Sequence, residues 1–139
     1  MRLLITEPTA LVADHADVAS LRAEDASGGF GILDGHADFL TVLAPSVLTW
    51  RHGDGRLGFC AVRQGVLSMH GGREVAVATR QAQLGTDLET LERTVIDRFM
   101  AEDDAERAAR IAAARLHMEA IRRIIAALRP DQSWSGAPG

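Results

Sequence analysis

"SGGFGILDGHADFLTVLAP", Ser27 to Pro45, decides how this chain reads. Two short apolar runs, "FGIL" and "DFLTVL", flank the turn-forming "DGHA". Apolar runs of 4 to 8 residues bounded by Gly and Asp are a strand–turn–strand signal. The pattern continues outward on both sides. "RLLITE" and "DVASLRAE" precede the stretch, and "SVLTWR", "LGFCAVR", "GVLSMH" and "EVAVAT" follow it. Turn signals separate them at "HGDG" (52–55), "RQG" (63–65) and "HGG" (70–72). In "EVAVAT", Val75 and Val77 share one face while Ala76 and Ala78 take the other. The small outer pair would let another surface approach closely. The fold class is β+α: an antiparallel β-sandwich of about 8 to 10 short strands over 1–85, then helices.

After Gly85 the period changes. Thr86 or Asp87 can cap a helix from Leu88, whose stripe is Leu88, Leu91, Val95 and Phe99. "AEDD" at 101–104 reads as an interruption, with Asp103 or Asp104 capping a second helix. There Ile111, Ala114, Met118, Ile121, Ile125 and Leu128 form a narrow seam suited to one partner helix. The expected organisation is a two-helix hairpin over 86–129 and a flexible tail over 130–139. Such a hairpin has little core of its own and must dock on the sandwich or on a partner.

Composition removes several functions. The formal net charge is −4 over 139 residues, which does not suggest nucleic acid. Every basic residue is arginine, so P-loop and Schiff-base lysines are excluded, and no tyrosine exists to act in catalysis. The single cysteine, Cys60, permits no internal disulfide and reads as a small buried hydrophobe. No apolar run reaches the roughly 18 to 20 residues that span a bilayer, and "MRLLITEPT" is no signal-peptide core. A soluble protein is expected. His36, flanked by Asp34 and Asp38, could be imagined as an acid/base site. The histidines have no metal-ligand spacing, no metal is expected, and a histidine bonding its own loop backbone is the favoured reading. The glycines lack both GxGxxG and its strand-then-helix context, so no phosphate loop is read there.

"GGFGILDGHADFLTVLAPSVLTWR" resembles the G-x-L-G-I-x-x-G-H-A-P-L-L-T-x-L-x-P-G pattern of the epsilon subunits of F-type ATP synthases. The resemblance runs from about Leu3 to Arg93 and includes "RQGVLSMHGGREVAVATRQAQLGTDLE". It implies a non-catalytic rotor component of the central stalk, peripheral on the cytoplasmic side of the membrane. The implied partners are the gamma subunit and the c-ring, and the alpha and beta subunits when the hairpin is extended. The implied role is coupling ion flow to ATP synthesis, with the hairpin restraining ATP hydrolysis. On this resemblance the c-ring-facing loop holds Ser27, Gly28, Gly29, Phe30 and His36.

Departures from the pattern shape the finer expectations. Asp38 stands for the family's Pro, Phe39 and Phe30 for Leu, and Ser46 for Gly. The family's nucleotide motif, [I/L]-D-x-x-R-A, falls on "LETLER", where Glu89 replaces Asp and Arg93 is one residue late. A second register, "DDAERA", keeps Asp104 and Arg107. Neither is complete, so weak or no ATP binding is expected, and no other cofactor. The arginines of the second helix, Arg107, Arg110, Arg115, Arg122 and Arg123, are the candidate contacts for acidic partner loops. The rival readings are a small enzyme built on His36, Asp34 and Asp38, and a free-standing sandwich scaffold.

Overall fold

The computed structural model describes residues 1–128, within which ten strands precede the helical region. The strands are β1 (Arg2–Glu7), β2 (Ala10–His15), β3 (Val18–Asp25), β4 (Gly28–Leu33) and β5 (Phe39–Leu43), then β6 (Ser46–His52), β7 (Leu57–Val62), β8 (Gly65–His70), β9 (Glu74–Thr79) and β10 (Ala82–Gly85). All eight strands legible in the sequence are there. β2 and β10 are additional.

The ladder order β10-β7-β6-β3-β4 makes one layer and β5-β8-β9-β1-β2 the other, joined where Asp25 of β3 pairs with Leu43 of β5. β1 and β9 pair in parallel, and the other ladders are antiparallel. Cross-strand rows explain the core. Leu67, Val77, Ile5 and Ala13 are successive partners across β8, β9, β1 and β2. Met69, Val75 and Leu3 form the next row, and all seven are buried. Leu21, Ile32, Leu48, Trp50 and Cys60 meet them from the opposite layer. Gly58 is required there: a Cβ would lie 2.1 Å from Cε2 of Trp50.

The chain divides into two compact units, Met1–Ala101 and a second from Glu102. The first therefore takes in the start of the helical region. Asp87 caps α1 (Leu88–Thr90), accepting from the backbone N–H groups of Glu89 and Thr90. A π-helical segment, Leu91–Ile96, follows, then α2 (Asp97–Ala127). Leu91, Val95, Ile96 and Phe99 are buried against Val47, Phe59 and Ala61 on the outer face of β6 and β7. Gly85 allows this approach, since a Cβ would meet Leu91 at 2.8 Å.

The expected hairpin is corrected: α2 runs through Ala101–Asp104 without a break. Nothing obliges one, because no Gly or Pro lies between Gly85 and Pro130. An aspartate inside a helix costs only about 0.7 kcal/mol against alanine. Asp104 also accepts from Arg107, one turn on, at 3.1 Å. The expected stop at Arg129-Pro130, the tail over 130–139 and Trp134 lie outside the described residues.

Candidate functional site

Three surfaces carry the residues singled out in the sequence. The first is a groove where β4 and β5, from different layers, run side by side. It encloses about 390 Å³ and is lined by Asp25, Ser27, Phe30, His36, Phe39 and Thr41, with Gly31. Ser27, Phe30 and His36 are thus brought together. Gly28 forms the β3–β4 turn at φ +117°, a value that favours glycine. Gly29 faces another way, beside Arg22, Val47 and Leu88.

Asp25, which sequence reasoning missed, holds this groove. Its carboxylate accepts from the Ser27 backbone N–H at 2.9 Å, the Ser27 hydroxyl at 2.5 Å and the Thr41 hydroxyl at 2.7 Å. The side chains of Ser27 and Thr41, with the Ser27 amide, hold its pKa below the usual value. The only sequence signal was an Asp two residues before a Ser in a Gly turn, which is an ordinary turn former. The ring of Phe39 packs on His36 at 4.8 Å and on Phe30 at 6.0 Å, edge to face. Both phenylalanines stand where the quoted pattern has leucine.

His36 donates from Nδ1 to the carbonyl of Ala37 at 2.7 Å. Its loop is braced by the β8–β9 turn. Gly35 N–H donates to Gly72 O at 2.7 Å, and Asp38 accepts from Gly71 N–H at 2.8 Å. Asp34, His36 and Asp38 do line one shallow polar depression with Arg73. All three are exposed, and Asp38 is engaged by backbone.

A different histidine is buried. His52 lies at the end of β6 rather than in an open turn, and accepts at Nε2 from the Trp50 indole N–H at 3.3 Å. That bond leaves the proton on Nδ1, which donates to Asp17 at 2.8 Å. The His52 side chain is the first cause of the lowered Asp17 pKa. With Nε2 occupied by Trp50, this Asp–His pair is a structural clasp. Cys60 is fully buried, and burial pushes its thiol up to about 12, so it is no nucleophile.

The second surface is the outer face of the β5-β8-β9-β1-β2 layer. Val42, Val66, Ala78, Thr6 and Leu11 are successive partners across it. Leu40, Val42 and Leu11 are exposed at 69%, 65% and 59%. A shallow depression of about 550 Å³ sits on this face, lined by Thr6, Pro8, Val42, Val66, Ala78 and Arg80 among others.

The third surface belongs to the second unit. Ile111, Met118, Ile121, Ile125 and Leu128 of the seam are exposed, as are Arg107, Arg110, Arg115, Arg122 and Arg123. Of the nucleotide candidates, Arg93 pairs with Glu89 at 2.8 Å, and Arg107 pairs with Asp104. Each arginine is thus engaged by the carboxylate of its own turn.

Comparison with known proteins gives these surfaces a context. Residues 1–85 match the family profile "ATP synthase, Delta/Epsilon chain, beta-sandwich domain". The chain is 44% identical to "ATP synthase epsilon chain 2" of Paraburkholderia xenovorans over 132 residues, 95% of each chain. It is 48% identical to "ATP synthase epsilon chain 2" of Cereibacter sphaeroides over 125 residues, 90% of this chain and 86% of that one. Two solved assemblies contain chains of similar fold. One is the Euglena gracilis mitochondrial ATP synthase (OSCP/F1/c-ring), with TM-score 0.57, 22% identity, and coverage of 68% of this chain and 61% of that one. The other is the central stalk and c-ring of the Tetrahymena thermophila enzyme, with TM-score 0.52, 16% identity, and coverage of 60% and 65%.

Proposed function

The chain belongs to the epsilon-subunit family of F-type ATP synthases, and from that premise we propose how its surfaces are used. It is a non-catalytic subunit of the central stalk. The bare apolar face of β5-β8-β9-β1-β2 docks on the gamma subunit. The groove of Ser27, Phe30, His36 and Phe39 faces the c-ring. Through these contacts the sandwich turns with the rotor and couples ion flow to ATP synthesis. No described helix is long and apolar enough to cross a membrane, so attachment is peripheral, on the cytoplasmic side of the complex. The seam and arginines of α2 engage the alpha and beta subunits and restrain ATP hydrolysis. ATP binds weakly or not at all, since Arg93 and Arg107 are each already paired with a carboxylate.

The observation that carries this reading is the bare sheet face. Its centre is small, at Ala76 and Ala78, and its rim is large, at Leu40, Val42 and Leu11. A contiguous exposed apolar patch of this kind marks a protein interface. The second face of the sandwich is covered by the chain's own helix, so the partner has one flat surface left. Affinity purification of the tagged full chain from its native membranes tests the proposal. Recovery of alpha, beta and gamma subunits is expected. Recovery of the chain alone, as a monomer, would return the free-standing scaffold to first place.

A further inference from the structure

The π-helical turn at Leu91–Ile96 has a physical cause on the sandwich beneath it. An α-helix closes i→i+4 bonds, and a π turn closes i→i+5 and carries one residue more. The buried anchors are Leu91, Val95, Ile96 and Phe99, at steps of four, one and three. On an α-helix, at about 100° per residue, Ile96 would lie roughly 140° from Leu91 and off the face. The wider turn brings Ile96 to 8% exposure beside Val95, against Ala61 and Phe59. Beyond it, Arg98 donates to Gln83 of β10 at 2.9 Å and lies over the ring of Phe99.

We propose that this segment is a phase switch: the same residues close either as the π turn or as an α turn, and the exchange rotates the helix that follows. Converted in place, the segment adds about 100° of rotation and about 1.5 Å of length to everything after it. The α form has the better hydrogen bonds, and the π form has the buried Ile96. Leu91, Val95 and Phe99 span only about 80° on an α-helix, so they stay on the sheet in both forms. The helix therefore turns without leaving its mount. A partner that binds the seam of α2 in one phase selects that phase by its differential affinity. This regulatory use rests on the function proposed above, whereas the switch itself is a property of the isolated chain.

Electron spin distance measurements on the full chain test it, with labels on R51C of β6 and M100C of α2, both exposed in the first unit. Cys60 is fully buried and stays unlabelled. Deleting Thr94, an exposed residue, removes the extra residue and sets the four anchors at steps of three, one and three. That is a plain α stripe in the present phase, so the wild-type distance is expected. Ile96→Ala removes the residue that favours the π turn. On a helix about 10 Å across, the label is expected to move by several ångströms to a single new distance. An unchanged distance in Ile96→Ala, a shifted one in the deletion, or a broad featureless distribution in either would overturn the proposal. None of these outcomes depends on whether the chain inhibits ATP hydrolysis.

Discussion

At the scale of single residues, the c-ring groove depends on a carboxylate that carries no chemistry. Asp25 ties the β3–β4 turn to β5 through Ser27 and Thr41. Its folded pKa lies below the model value of 3.8. The stabilising contribution is therefore present above that value and lost as pH falls through the lower folded one. Asp25→Asn should unfold earlier than wild type at neutral pH, and the two melting curves should converge in acid. A gap that persists once wild-type Asp25 is protonated would show that the bonds to Ser27 and Thr41 are not its source. Gly58→Ala should cost about 1–3 kcal/mol in urea unfolding, because the new methyl overlaps the Trp50 ring. Little of this was legible. The spacing of "GILDGHA" fixed the turn and its neighbours, but it named His36 and passed over Asp25 and His52. Those two matter through partners 16 and 35 residues away, Thr41 and Asp17. Sequence patterns read separations of a few residues, so such pairs are invisible until strands are placed side by side.

At the scale of elements, the helical region has two different jobs. Its first turns are part of the sandwich, since the first compact unit ends at Ala101. A chain cut after Ala101 should melt close to wild type. A chain cut after Gly85 should keep its strand signature in circular dichroism but melt several degrees lower, with Val47, Phe59 and Ala61 exposed. Phe99→Ala alone should cost about 3–5 kcal/mol. Equal melting temperatures for the two truncations would mean that the anchors contribute nothing. The stripe Leu91, Val95, Phe99 was readable because α periodicity generates it. Ile96 was not, because only a π turn brings it to that face. The break at 101–104 was over-read from polarity: two aspartates do not end a helix that has alanine around it and an arginine one turn on. β10, "AQLG", has no β-branched residue, and its identity comes from pairing with β7.

At the scale of the whole molecule, the account makes the chain a coupling part whose surfaces are used by others. The α2 arginines bear on regulation. Each exposed ion pair contributes only about 0.2–1 kcal/mol, but several together shift an equilibrium that lies within a few kcal/mol of balance. Replacing Arg115, Arg122 and Arg123 by alanine in the reconstituted complex should raise ATP hydrolysis at low salt, and the gap should close as salt screens the contacts. Identical rates at every salt concentration would leave those arginines as a solvated face. The central claim, that the bare sheet face is the rotor contact, is tested most directly by Val66→Glu/Ala78→Arg. Both side chains point outward, so the isolated variant should keep its circular dichroism and melting temperature. Measured by quantitative recovery of the chain with membrane-bound complex, the account predicts at least a tenfold loss of the variant, together with loss of coupled ATP synthesis. A variant that assembles and couples like wild type would contradict it.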